Sequence, residues 1–444
     1  MSEPRRETAP DFLRSLWFMP AMFVAGSLLA GYALSSIEIS DDFLLSGLIF
    51  SGTAENARQL LAVISGTMIT VTGLVFVLTV IALQIASTQF SPRLLRFFLR
   101  DFGTRLVLST FVATFAYSLA GLFTVGNDVN NGEEFLPQIA VTGALLLALI
   151  SVGMLVYYIQ HITNSIRIDT VIKAVEESTV QSIKRLLPDP VKESPTTPSL
   201  GDAPADSMIV PIEQAGYVQD FDLEALGRLA VSEGIIIKVR AKIGHHLVDG
   251  NAVAFAWKPD GGSTNAEAIT DAVNKATLIK VERRTDHDVG YGLRQLIDVA
   301  MRAMAPSVND PYTAVQAIHH LAVVLAALAR VSTDNRLWFD DSGDVRVSVP
   351  EVPFEQHLKT VSSHLRRSAA DRPRVVVALL RMLESVAVAG TTPSRRQAIA
   401  EEIELVMHDA VREIKQPADL EYARIMYDAA LHAATHGEVT HTER

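Results

Sequence analysis

Residues 60–90 read LLAVISGTMITVTGLVFVLTVIALQIASTQF, with no Lys, Arg, Asp or Glu among them. A hydrocarbon core of roughly 30 Å is crossed by about 20 helical residues. The stretch therefore predicts a membrane-spanning helix with turns to spare, the surplus projecting beyond one membrane face. Ser65, Gly66, Thr72, Gly73 and Thr79 recur along it at seven-residue spacing, with Thr70 and Gln84 near the same side. Small and hydroxyl residues on one side let membrane helices pack closely, or they line a wet path between helices. In the packing alternative the hydroxyls bond back to carbonyls of their own helix.

Outward from this stretch lie three more apolar runs, 16–37, 106–125 and 139–159. The loop over 40–56, with Glu38 just before it and Asp41, Asp42 and Glu55 within it, and the turn between runs three and four, with Asp128, Glu133 and Glu134, are acidic, and neither has a Lys or Arg. The other flanks carry the cations: Arg5, Arg6 and Arg14, then Arg93, Arg96, Arg100 and Arg105, then Arg167 and Lys173. Positive charge stays on the cytoplasmic side. Four spans with both termini, and everything beyond about residue 165, in the cytoplasm follow from that rule. The spans contain no ionisable residue except tyrosine, which argues against a proton-coupled carrier. Four spans are few for a pathway inside one subunit, so any conduction should run between copies, along an axis lined by the second span. The expected partners are thus the lipid bilayer and further copies of the chain, in a homo-oligomer.

Arg93, Arg96, Arg100 and Arg105 form a basic elbow, and Ser91–Pro92 reads as an N-cap with a first-turn proline. The arginines meet anionic headgroups in one reading, and ring the inner mouth of an oligomeric pore in the other.

A hydrophobic share of 49% suits a chain that is part membrane, part soluble. The net charge of −11, with no basic domain, excludes a dedicated nucleic-acid binder. The absence of cysteine excludes disulfides, thiol catalysis and Cys-ligated zinc. No metal site and no cofactor is expected: the pairs His245–His246 and His319–His320 are adjacent rather than suitably spaced, and no phosphate-binding glycine loop or nucleophile elbow is present. Asp340, Asp341 and Asp344 lack the closing Glu of a calcium loop and read as a hairpin turn.

The expected organisation is a four-helix transmembrane domain over 1–165, an amphipathic helix and a Pro/Ser-rich linker over 166–207, a small mixed α/β module over 208–282, and a mainly helical cytoplasmic domain over 283–444. The fold class is thus an α-helical transmembrane domain followed by an α+β cytoplasmic region, with a small β-sandwich or barrel-like module and a helical C-terminal part. The densest polar constellation is Arg284, Asp288, Arg294, Asp298, Arg302, Asn309 and Asp310. Arg294, Asp298 and Arg302 stand four residues apart and can pair along one helix face. Asp310 before Pro311 reads as a helix cap. The alternatives are a polar lock between domains or subunits, or a site for a small anionic ligand such as phosphate or nucleotide.

Three stretches give the chain a resemblance to a bacterial family of predicted membrane proteins, domain of unknown function 2254: ALQIASTQFSPRLLRFFLRD at 82–101, GYVQDFDLEAL at 216–226 and RRTDHDVGYGLRQLIDVAMRAMAPSVNDPYTA at 283–314. The resemblance implies a multi-pass protein of the bacterial inner membrane and no catalytic residues. Three functions fit: a channel-like or transport-related assembly with a cytoplasmic regulatory region, a non-conducting scaffold or signalling protein recruiting a cytoplasmic protein, and, least supported, a membrane-anchored enzyme.

Overall fold

A computed structural model describes residues 18–36, 49–89, 101–126, 136–165, 167–191, 200–262, 264–390 and 392–438. The chain divides into two compact units, Met1–Thr170 and Val171–Arg444.

The first unit is helical: α1 (Phe18–Ser35), α2 (Ala54–Gln89), α3 (Phe102–Thr124) and α4 (Gln138–Ser165). Helix α2 starts ahead of the charge-free run because its first turn tolerates polar residues. Ala57 N–H reaches the Thr53 carbonyl at 3.0 Å, and the Arg58 guanidinium donates to the Val125 carbonyl at 3.2 Å. Its 36 residues measure about 54 Å at 1.5 Å each, well over the hydrocarbon thickness. Helix α3 is the hub, packed against α1, α2 and α4. Close approach depends on small residues: a Cβ on Gly31 would stand 3.1 Å from Ala120 Cβ, and one on Gly143 would meet the Tyr117 hydroxyl. Leu61, Val75, Val107, Phe111 and Tyr158 fill the interior, while Leu29, Val63, Leu149 and Val156 face outward. An apolar exterior of this kind suits lipid rather than water.

The second unit takes most of α5 (Ile168–Leu186), then β1 (Met208–Pro211), β2 (Gly216–Phe221), α6 (Leu223–Glu233), β3 (Ile236–Val239), β4 (His246–Leu247), β5 (Ala252–Trp257), α7 (Ala266–Ala276) and β6 (Thr277–Lys280). A 3-10 turn at Thr285–His287 leads into α8 (Val289–Ala303) and α9 (Pro311–Ala329). The hairpin β7 (Arg336–Phe339) and β8 (Val345–Val349) follows, then α10 (Phe354–Ala369), α11 (Pro373–Ala387), α12 (Pro393–Glu413) and α13 (Pro417–His436). Four of these helices open on a proline, where the missing N–H costs no hydrogen bond.

One sheet runs β1-β5-β3-β8-β7 and the other β4-β2-β6. All neighbours are antiparallel except β3 and β8, which pair Ile237 with Val347 in parallel. The hairpin thus completes a sheet begun at Met208. Leu226 of α6, Ile269 of α7 and Ile237, Val253 and Val347 of the strands share one apolar core. Helix α9 lies between α8 and α11 and buries Ile318, Leu321, Leu325 and Leu328. Among the described residues five helices are long and apolar enough to cross a membrane: α1, α2, α3, α4 and α9.

Candidate functional site

On α2 the small and hydroxyl residues divide into two rows. Thr72 donates to the Met68 carbonyl at 2.7 Å. The Thr79 and Tyr158 hydroxyls lie 2.7 Å apart, both within reach of the Val75 carbonyl. Ser65 is buried in the same row. The Thr72 and Thr79 hydroxyls are satisfied by carbonyls of their own helix, and Thr79 also meets Tyr158 of α4. The other row, Gly66, Thr70, Gly73 and Gln84, is exposed. Thr70 donates back to the Gly66 carbonyl at 2.9 Å, and a Cβ on Gly66 or Gly73 would meet nothing within 4 Å among the described residues.

Arg93, Arg96 and Arg100 lie outside the described residues. Arg105 is half-buried beside Asp101, the N-cap of α3. Asp101 receives the Thr104 N–H at 2.7 Å and stands 2.6 Å from His161 Nε2 of α4. His161 stacks on Tyr157, and a Cβ on Gly103 would strike its ring, so the glycine makes room for the pair. This His–Asp contact ties α3 to α4; nothing in the spacing of the two residues announces it.

The second unit holds a cavity of about 40 Å³ where α8 begins, lined among others by Leu186, His287, Asp288, Arg336, Glu351 and His357. The geometry starts from Asp288. Its Oδ1 caps α8 by accepting the Tyr291 N–H at 2.9 Å, and its Oδ2 lies 2.7 Å from both Nε and Nη2 of Arg283. Gly244, at φ 81°, passes so close that a Cβ would stand 2.4 Å from Asp288 Oδ2. Glycine is therefore required there twice, by conformation and by space. Gly290 is the opposite wall: a Cβ on it would lie 3.3 Å from His357 Cε1.

Arg336 enters from β7, with Nε 2.7 Å from Glu351 Oε1 and Nη1 3.6 Å from Asp220 Oδ1 of β2. Gln219, next along β2, donates to the Glu282 carbonyl at 2.8 Å, and Ser182 of α5 donates to the Thr285 carbonyl at 2.9 Å. Burial sets the proton affinities. It raises the Glu351 carboxyl, against the pull of Arg336. It pushes the His357 imidazole down to about 4, assisted by Lys242 and Arg283. His287 is lowered by the same cause.

The polar constellation of residues 284–310 is not one site. Arg284 and Asp288 stand at the cavity end of α8, Arg284 pairing with Asp286 at 3.2 Å. Arg294 pairs with Asp298 at 3.1 Å and reaches His364 of α10 at 2.9 Å. Arg302 sits in the last turn of α8. Asn309, at φ 47°, and Asp310, whose Oδ1 caps α9 through the Thr313 N–H at 3.1 Å, lie beyond the far end. The 15 residues of α8 hold the two ends about 22 Å apart. Among the described residues no group of three or more His, Asp or Glu is placed to hold a metal ion. Asp340 is a hairpin turn residue, accepting the Ser342 and Asp344 N–H groups at 3.0 Å each.

The cavity residues Arg336, Glu351 and His357, and Asp220 beside Arg336, were not among the candidates read from sequence. Asp220 had a signal, since it lies in the 216–226 stretch. That stretch and 283–314, the two later segments carrying the family likeness, come near each other through Arg336, which lies 3.6 Å from Asp220 and lines the cavity with Asp288.

A family profile described as predicted membrane protein (DUF2254) matches residues 13–385. An uncharacterized protein of Mycobacterium bovis and two of Mycobacterium tuberculosis are each 37% identical over 424 residues, covering 94% of this chain and 80% of the relative. No solved structure matches.

Proposed function

We propose, from the premise that this chain belongs to the DUF2254 family of predicted membrane proteins, that it is a bacterial inner-membrane assembly of several copies, channel-like or transport-related, regulated through its cytoplasmic unit. In this reading α1–α4 cross the bilayer, both termini and the second unit lie in the cytoplasm, and α9 stays in the soluble core. The observation that carries it is the outer row of α2. Gly66 and Gly73 are open and Thr70 and Gln84 exposed, on a helix whose inner hydroxyls are already bonded within the bundle. Small and polar residues facing outward in a membrane are what a neighbouring helix or a wet axis uses.

The test is the mass of the purified protein in detergent, with ion flux from liposomes, for wild type and for Gly66→Leu with Gly73→Leu. A multimer that conducts, and that the double variant breaks or blocks, supports the reading. A monomer removes it. A multimer without flux leaves the non-conducting scaffold.

A further inference from the structure

We infer that the cavity at the start of α8 is a binding site for a small oxyanion, a phosphate or carboxylate group, held by Arg336 and His357. One donor in it lacks what its burial demands. Arg336 Nη2 is fully buried without a hydrogen-bond acceptor among the described residues, while Nε lies 2.7 Å from Glu351 Oε1. His357, 9% exposed, lines the same cavity and carries a ring N–H. A buried polar group left unpaired is costly, so Nη2 calls for a guest that accepts hydrogen bonds.

The size fits. At roughly 10–15 Å³ per water on this measure, the cavity of about 40 Å³ holds about three waters, or one compact anionic group.

The charges favour an anion over a cation. Lys242 and Arg283 place a positive field at His357. Of the carboxylates, Asp288 is committed on both oxygens, to the Tyr291 N–H and to Arg283. Glu351 is held in its ion pair with Arg336 Nε at 2.7 Å. The guanidinium offers Nη2 and His357 its ring N–H. The start of α8 contributes no free N–H to this, since Asp288 already caps it. The site is independent of whether copies of the chain assemble in the membrane.

The experiment uses the full chain in detergent, with thermal unfolding and calorimetric titration in inorganic phosphate and in acetate, each against chloride at equal ionic strength. The expected result is a saturable rise in Tm with phosphate or acetate, beyond that with chloride. Which of the two acts separates the phosphate source from the carboxylate source. His357→Gln and Arg336→Gln should each weaken binding about tenfold or more, the worth of one charge-assisted hydrogen bond. His364→Gln, outside the cavity, should leave it intact. Arg336→Gln also releases Glu351 and Asp220, so if it fails to fold, His357→Gln decides alone. No rise over chloride with either anion, or undiminished binding in His357→Gln, overturns the assignment.

Discussion

Helices α2 and α9 are each long and apolar enough to cross a membrane, yet they place that apolarity differently. Of the most apolar window of α2, 17% is buried within the protein, and Val63, Leu74, Phe76 and Val77 face out. For α9 the share is 44%, with Leu321, Val324, Leu325 and Leu328 wholly enclosed. Burial alone does not separate a spanning helix from a core helix, since α3 is 56% buried at the hub of its bundle. The neighbours do. Helix α3 is surrounded by α1, α2 and α4, each long and apolar. Helix α9 is surrounded by α8 and α11, which carry Arg294, Asp298, Arg381 and Glu384. An apolar helix dissolves in whatever surrounds it, and composition does not say whether that is lipid or protein.

The comparison breaks most visibly under truncation. Leu321→Ala in α9 should cost about 2–5 kcal/mol, because the enclosing helices cannot collapse onto the void. Leu74→Ala, on the outer face of α2, should cost less than about 1 kcal/mol. Chemical denaturation of the two variants measures both; similar losses would mean that α2 is enclosed as well.

Acid sharpens the contrast next. Residues 60–89 of α2 contain no group that titrates, whereas the second unit encloses His357. Below pH 6.5 the unfolded chain protonates this histidine, and the folded chain resists until about pH 4. Stability conferred by the group is full above pH 6.5 and falls as pH drops through that window, by up to about 3 kcal/mol. Glu351 has the opposite sign: its raised pKa adds stability below the ordinary carboxylate range that fades as pH rises. Lys242, Arg283, Asp288 and Glu351 surround the site in both proteins, so subtracting the stability profile of His357→Gln from wild type isolates the His357 window. A flat difference would place the imidazole in water.

The smallest expected effect is on the inner row of α2. Thr79→Val removes the hydroxyl beside Tyr158, which keeps its own bond to the Val75 carbonyl at 3.2 Å. A loss of about 1 kcal/mol in unfolding is expected, with no change in any flux measured from liposomes. A change in flux with unaltered stability would move the wet path to the inner row.

Much of the fold was legible because its causes are local. A run such as 60–90 without charge, the Arg-bearing and acidic loops, Asp310 before Pro311, and the Asp340 turn each act within a few residues of themselves. The candidate site was legible only in part. Asp288 could be picked out because it lies in a dense polar segment. Arg336 looked like an ordinary hairpin residue, and His357 like one more position on an amphipathic helix. Nothing in their spacing joins them to Asp288 or to Asp220.

By itself the sequence determined where the apolar runs lie, which loops carry cations, and where the helices start, since hydropathy, charge and caps are properties of short stretches. Only the tertiary structure decided that β8 pairs in parallel with β3, that the hydroxyls at 72 and 79 turn inward while the glycines at 66 and 73 stay bare, and that segments far apart in the chain enclose one cavity. Those outcomes depend on which surfaces exclude water together, and that is settled only when the whole chain has packed.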